Sequence, residues 1–197
     1  MKPAVISKPH LIIMIGIPRS GKSFFAEHFA DTFKAPIISF DKLRNEIFSN
    51  PSFTKDEDII INKVANNLLG EVLKTKRTVI YDGQTNLRAE RIAISKIARD
   101  ADYDPLFIWV QTEPASAKKR ALKTNVEKPA IDDNDFENLL KHFSAPHRNE
   151  KAIVISGKHT YASQLKIVLK NLVQPHEFKN EQVNIIHPPK RRNYLIR

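Results

Sequence analysis

The sequence predicts an α/β fold, a mostly parallel sheet covered by helices on both faces. Three observations carry this. Apolar runs of strand length alternate with segments of helical period along most of the 197 residues. The first run, "LIIMIG" at 11–16, is apolar at successive positions, as a strand buried on both faces must be. The glycines gather at strand ends: Gly16 and Gly21 follow the first run, Gly83 the third and Gly157 the fifth, while Gly70 falls inside a predicted helix. Open parallel sheets bind ligands at the carboxyl ends of their strands, although strands often end in glycine for no other reason. Strands joined by helical crossovers give a three-layer architecture.

In order, strands are expected at 11–16, 35–39, 78–82, 105–112 and 152–156. The helix at 22–33 places Phe25, Phe29 and Phe33 at i+4 spacing, an amphipathic stripe. A short helix follows at 41–48. The longer one at 56–76 carries Ile60, Val64, Leu68 and Val72 on one stripe. Further helices are expected near 87–101, 113–123, 133–143 and 160–173. The polar stretch "TNVEKPAID" at 124–132 interrupts two helices and suits a mobile lid, spanning about 118–135 with its helical base. Residues 1–174 thus form one domain. Residues 175–197 contain three prolines and end in "PPKRRNYLIR", a basic tail that docks, binds or stays loose.

Composition narrows the classes. The longest apolar run, Leu11–Ile17, is far too short to span a bilayer. It leads straight into a glycine loop with no small-residue cleavage site, so it is not a signal peptide. A cytoplasmic location without membrane attachment is the default. The absence of cysteine excludes disulfides and thiolate metal sites, and no histidines show metal-ligand spacing. The net charge of +10 favours polyanionic partners such as nucleic acid, although a solvated basic surface is the plain alternative.

The chemistry starts at "GIPRSGKS", residues 16–23. It fits G-x-x-x-x-G-K-[ST] in full, between a strand and a helix. Gly16 and Gly21 permit backbone angles that a Cβ forbids. The amides from Arg19 to Ser23 then point at phosphate oxygens, reinforced by the positive end of the following helix. Lys22 is expected on the β- and γ-phosphates of ATP, and Ser23 on Mg²⁺. The nucleotide-binding set is Gly16, Pro18, Arg19, Ser20, Gly21, Lys22, Ser23 and Phe24, with Arg120 and Lys123 reaching over from the lid. Arg19 is either an extra phosphate ligand or a solvated side chain.

Three further elements concern the acceptor. Asp41 and Arg44 in "SFDKLR" stand three apart on the opening turn of a helix, hence nearly on one face. Asp41 could take a hydroxyl proton and Arg44 could hold an acceptor phosphate, or Asp41 could simply cap the helix. Asp82 ends a strand in "VIYDGQTN", where it would support the metal or orient Arg44. Thr85 and Asn86 follow in a turn and could be caps or substrate contacts. Among Lys118, Lys119, Arg120 and Lys123 before the lid, Arg120 is the first candidate to stabilise the transferring phosphoryl group.

Together, "GIPRSGKS", "SFDKLR", "VIYDGQTNL" with Arg91 downstream, the basic lid helix and "HFSAPHRNEKAIVISG" resemble, in this order, the P-loop kinases akin to polynucleotide 5′-hydroxyl kinases. The resemblance covers about residues 10–173. It implies a five-stranded parallel sheet in the order 2-3-1-4-5 with a small helical lid. It also implies Lys22 and Ser23 serving ATP and Mg²⁺, Asp41 as general base, Arg44 as acceptor-phosphate clamp, Asp82 as metal or Arg44 support, and Thr85, Asn86 and Arg91 on the substrate. The implied reaction is transfer of the γ-phosphate of ATP to the 5′-hydroxyl of a DNA or RNA end. Two alternatives stay open: a kinase of the same fold acting on a small molecule, and a nucleotide-binding switch or ATPase without an acceptor.

Overall fold

The first apolar run becomes the central strand, β1 (His10–Ile15), and its burial shows why it is apolar throughout. Leu11, Ile13 and Ile15 join one core, whereas Ile12 and Met14 join the core on the other face. Successive strand residues point to opposite faces, so a strand covered on both sides needs apolar residues at both parities. The chain is described here from a computed structural model, covering residues 8–123 and 131–173. Residues 124–130 of the expected lid and the whole expected tail lie outside the described residues.

The remaining elements follow as α1 (Lys22–Phe33), β2 (Ile37–Ser39), α2 (Phe40–Ile47), α3 (Lys55–Leu73), β3 (Val79–Asp82), α4 (Arg88–Asp100), β4 (Asp104–Gln111), α5 (Pro114–Ala121), α6 (Asp133–Lys141), β5 (Ile153–Ser156) and α7 (Tyr161–Val173). The sheet has five strands in the order β2-β3-β1-β4-β5, every neighbouring pair parallel. This is the order that the resemblance implied. Helices α3 and α4 cover one face, packing Ile61, Ala65, Leu69, Ile94 and Ala98 against β1 and β3. Helices α1 and α7 cover the other, with Phe25, Phe29 and Val168. Among the described residues no helix is long and apolar enough to cross a membrane.

Two helical stripes differ from expectation. In α3 the buried ladder is Glu57, Ile61, Ala65, Leu69 and Leu73, one residue later than the expected Ile60-Val64-Leu68-Val72 ladder. Both ladders run at i+4, and the small Ala65 sits on the face turned to the sheet. Ile60 and Leu68 are left exposed. In α1, Phe25 and Phe29 are buried, but Phe33 lies in the last turn, exposed, with its ring 4.4 Å from that of Phe29.

The same α3 ladder begins with a buried carboxylate. Glu57 accepts from the Ser52 hydroxyl at 2.6 Å, from the Ser52 and Phe53 amides at 2.8 Å each, and from Arg44 at 2.8 Å. The Ser52 hydroxyl above all, then the amides and Arg44, outweigh the opposing effect of burial and lower its pKa from 4.5 to about 2. A depressed carboxylate contributes stability above its unfolded pKa and loses it as pH falls toward the folded value. Acidification from pH 4.5 to about 2 is therefore expected to lower Tm more in the unaltered chain than in Glu57→Gln, as thermal melts across that range would record.

Candidate active site

The phosphate loop turns on contacts that no side chain could share. At Gly16, with φ +153°, a Cβ would stand 2.6 Å from Ser20 Oγ and 2.6 Å from the Val110 carbonyl. Ser20 N–H donates to the Ile17 carbonyl at 3.1 Å, closing the turn. Lys22 opens α1 and folds back, its Nζ donating to the carbonyls of Gly16 at 2.7 Å and Ile17 at 3.1 Å. Gly21 caps α1 with no side-chain hydrogen bond, and the first turn carries no acidic residue. The helix amides there face the loop, the arrangement that anions occupy at helix N-termini. The loop fits a triphosphate on a further count. Ser20 Oγ is buried inside it without a hydrogen-bond partner. Arg19 takes φ 59°, which explains why a residue without a Cβ suits that position.

Two neighbouring loops lock onto this one. The Thr112 hydroxyl donates to the Ser20 carbonyl at 2.8 Å, and Gly157 N–H to the Gln111 carbonyl at 2.8 Å. A Cβ on Gly157 would lie 2.0 Å from the Ser20 carbonyl oxygen and 2.1 Å from Thr112 Oγ1. The strand-end glycine is thus required by close packing against the phosphate loop. Arg120 bridges the same parts, donating to the carbonyls of Arg19 at 3.3 Å and Gly157 at 3.1 Å. Replacing Gly157 by Ala is expected to cost about 1–3 kcal/mol by overpacking, because backbone is among the atoms that must yield. Calorimetric titration with an ATP analogue should show an affinity loss of about tenfold or more.

The acceptor side is built by β2 and α2. Ser39 ends β2 and caps α2, its hydroxyl accepting from the Lys42 amide at 3.5 Å. The capping position therefore belongs to Ser39, and Asp41 stands inside the first turn. Asp41 and Ser23 line one cleft of about 240 Å³, together with Glu27, Ser39, Lys42, Asn45 and Glu46. The phosphate-loop serine and the expected base thus face the same space. Among the described residues three carboxylates stand in this lining against one lysine, and Lys42 pairs with Glu27 at 3.1 Å.

Several side chains expected on the substrate are held elsewhere. Arg44 is buried at 6% exposure and pairs with Glu57 at 2.8 Å and with Asp58, under the Phe53 ring. Its charge is taken up by two α3 carboxylates, so it ties α2 to α3. Arg91 is wholly buried. Its guanidinium meets Glu150 at 2.6 and 3.1 Å and donates to the carbonyls of Thr85 at 2.9 Å, Asn86 at 3.3 Å and Ser144 at 3.0 Å. Burial opposes ionisation of Glu150, yet the Arg91 hydrogen bond and the His147 amide hold its pKa below the usual carboxylate range. The Thr85 hydroxyl donates to the Met14 carbonyl at 2.6 Å, tying the loop after β3 to β1. The Asn86 carbonyl accepts from the Ser144 amide at 2.8 Å. These contacts make Arg91 and the Thr85 hydroxyl part of the frame beside the site.

Asp82 ends β3 in register with Ser39, buried at the same strand edge as the cleft. Phe24, expected at the nucleotide, is exposed, and its ring packs tilted against His28 with centroids 4.2 Å apart. Pro18 lies on the half-buried part of the loop, and Lys123 is exposed just past α5. Lys118 instead joins α5 to α6 through Asp133 at 3.4 Å and Glu137 at 3.1 Å. Ala117, Ala121 and Phe136 of these helices pack on Ile17 of the phosphate loop, which seats the lid base. The sequence offered no signal for Thr112, nor for the pairing of Arg44 with residues thirteen and fourteen positions away.

A phosphate loop and a carboxylate cleft at one edge of a 2-3-1-4-5 parallel sheet define a P-loop protein of the kinase type. The chain belongs to the family described as Chromatin associated protein KTI12, whose model matches residues 10–195. The fold is shared with Kti12 of Chaetomium thermophilum in complex with ADP-AlF3, at TM-score 0.61 and 19% identity over 81% of this chain and 96% of that one. A chain of the Pnkp1/Rnl/Hen1 RNA repair complex matches at TM-score 0.60 and 22% identity, over 77% of this chain and 48% of that one. The L-seryl-tRNA(Sec) kinase of Methanococcus maripaludis is 26% identical over 142 residues, 69% of this chain. The chain spans about half, 53%, of the length of that curated relative.

Proposed function

We propose that the chain transfers the γ-phosphoryl group of ATP to a hydroxyl, with Asp41 as general base. The observation that carries this is the shared cleft of Ser23 and Asp41. ATP would lie in the loop of Gly16, Pro18, Arg19, Ser20, Gly21, Lys22 and Ser23, with Arg120 and Lys123 beside it. Mg²⁺, held by Ser23 and Asp82, would neutralise charge on the β- and γ-phosphates. Lys22 and the loop amides stabilise charge on the transferring group. The acceptor O–H bond breaks with its proton passing to the Asp41 carboxylate. The acceptor oxygen bonds to phosphorus as the bond to ADP breaks.

The charge of the cleft supports a choice among acceptors. A polynucleotide 5′-hydroxyl would bring a backbone phosphate near three carboxylates, and Arg44 is engaged on α3. The lining suits a hydroxyl without neighbouring phosphates. We infer that this hydroxyl is carried by an RNA-attached group, as the name of the seryl-tRNA(Sec) kinase relative suggests, with the net charge of +10 attracting the RNA. A small-molecule hydroxyl is the second reading, favoured by the mixed charge of the cleft. The full chain with γ-labelled ATP should label serylated tRNA. Label on 5′-hydroxyl oligonucleotides instead would restore the end-kinase reading, and label on sugars alone the small-molecule one. Sustained ATP hydrolysis with no labelled acceptor, unchanged in Asp41→Asn, would leave a nucleotide-dependent switch.

A further inference from the structure

A second concave site lies away from the candidate active site, between α4, the first half of β4 and the segment before β5. It is a groove of about 480 Å³. Arg88, Ile92, Ser95 and Arg99 line one wall, and their spacing of four, three and four puts them on one helical face. Phe107 of β4 and Lys151, just before β5, contribute to the other side. Arg88 opens α4 a few residues after β3 ends, so it starts at the sheet edge that bears the phosphate loop. Arg99 lies eleven residues on, about 16 Å along the helix, toward the opposite edge.

Three features say what the groove takes. Ser95 is buried at 3% exposure, lines the groove, and its hydroxyl has no hydrogen-bond partner. A buried hydroxyl without a partner is costly, and rotation of the Ser95 side chain toward an acceptor oxygen in the groove would remove that cost. The charged lining is Arg88, Arg99 and Lys151 against Glu150, whose carboxylate is already taken by Arg91 at 2.6 and 3.1 Å. The wall also carries apolar surface, with Ile92 at 56% exposure. A ligand with regularly spaced anions, acceptor oxygens and flat apolar faces matches all three. The chain's own residues 174–197 do not, because their Lys179, Lys190, Arg191, Arg192 and Arg197 outnumber Glu177 and Glu181.

We propose that this groove binds a segment of single-stranded nucleic acid, with Arg88, Arg99 and Lys151 on its phosphates and Ser95 donating to a phosphate oxygen. The site does not depend on the phosphoryl-transfer reading, since none of its residues lines the Asp41 cleft. It supplies the phosphate contacts that the acidic cleft lacks.

The test is fluorescence anisotropy of a labelled oligouridylate with the full chain across a salt series. The triple variant Arg88→Ala/Arg99→Ala/Lys151→Ala should bind at least about tenfold more weakly, with the log–log salt slope reduced by about 2. Ser95→Ala should weaken binding several-fold with the slope unchanged. Affinity for an ATP analogue should stay as in the unaltered chain for every variant, which separates this site from the nucleotide loop. Arg99→Glu alone, at the exposed end of α4, gives the same reading should the triple variant misfold. Failure of the unaltered chain to bind the oligonucleotide overturns the proposal, as does a triple variant with unaltered affinity and slope. Polyglutamate of equal charge competing as well as the RNA overturns it in favour of an acidic protein partner. Labelled-phosphate transfer, measured separately, would survive any of these failures if the active-site reading holds.

Discussion

Asp41→Asn is expected to lower phosphoryl transfer by about 10²–10⁴-fold, the range for loss of a positioned general base. ATP affinity should stay unchanged. The substitution keeps the shape of the side chain and removes its capacity to take a proton. It leaves the Ser39 cap of α2 in place, so the helix persists. The Thr112 and Arg120 hydrogen bonds that hold the phosphate loop remain in place. Single-turnover transfer and equilibrium titration with an ATP analogue, run on the same preparation, would check both halves. Equal loss of transfer and of nucleotide affinity would place Asp41 on ATP itself. Lys22→Ala is the contrast, since it should lose nucleotide binding and transfer together.

The second large effect is on stability. Arg91→Met is expected to destabilise the fold by about 3–5 kcal/mol, the cost of stranding one partner of a buried ion pair. Arg91 has no exposed surface and its Glu150 partner is 8% exposed as a side chain. Removing the guanidinium also strands the carbonyls of Thr85, Asn86 and Ser144. The denaturant midpoint should fall accordingly, and Arg91→Met/Glu150→Met should recover part of the loss, because no unpaired charge then remains inside. A stable Arg91→Lys chain whose KM for the acceptor rises steeply would return Arg91 to the substrate.

These two residues stand on either side of the limit of what the sequence made legible. The fold was open to view because its signals are local or periodic. A strand apolar at every position announces two covered faces, and G-x-x-x-x-G-K-S between strand and helix announces the phosphate loop. Asp41 could be placed beside that loop because strand ends in a parallel sheet share an edge. Arg44 and Arg91 were harder. Each is a charged residue next to a motif, and the residues that claim them, Glu57 and Glu150, lie thirteen and fifty-nine positions away. Nothing in the local pattern distinguishes a guanidinium that waits for a phosphate from one that a distant carboxylate already holds. The one-residue error in the α3 stripe has a related origin. Two apolar i+4 ladders run side by side there, and the sheet they pack on decides between them.

Arg120 hydrogen-bonds to both Arg19 and Gly157 from its place on α5, whose alanines rest on Ile17. The phosphate loop is thus joined through Arg120 to α5 and, through Lys118, to α6. A displacement of either helix would reach the Arg19 and Gly157 carbonyls through a single side chain.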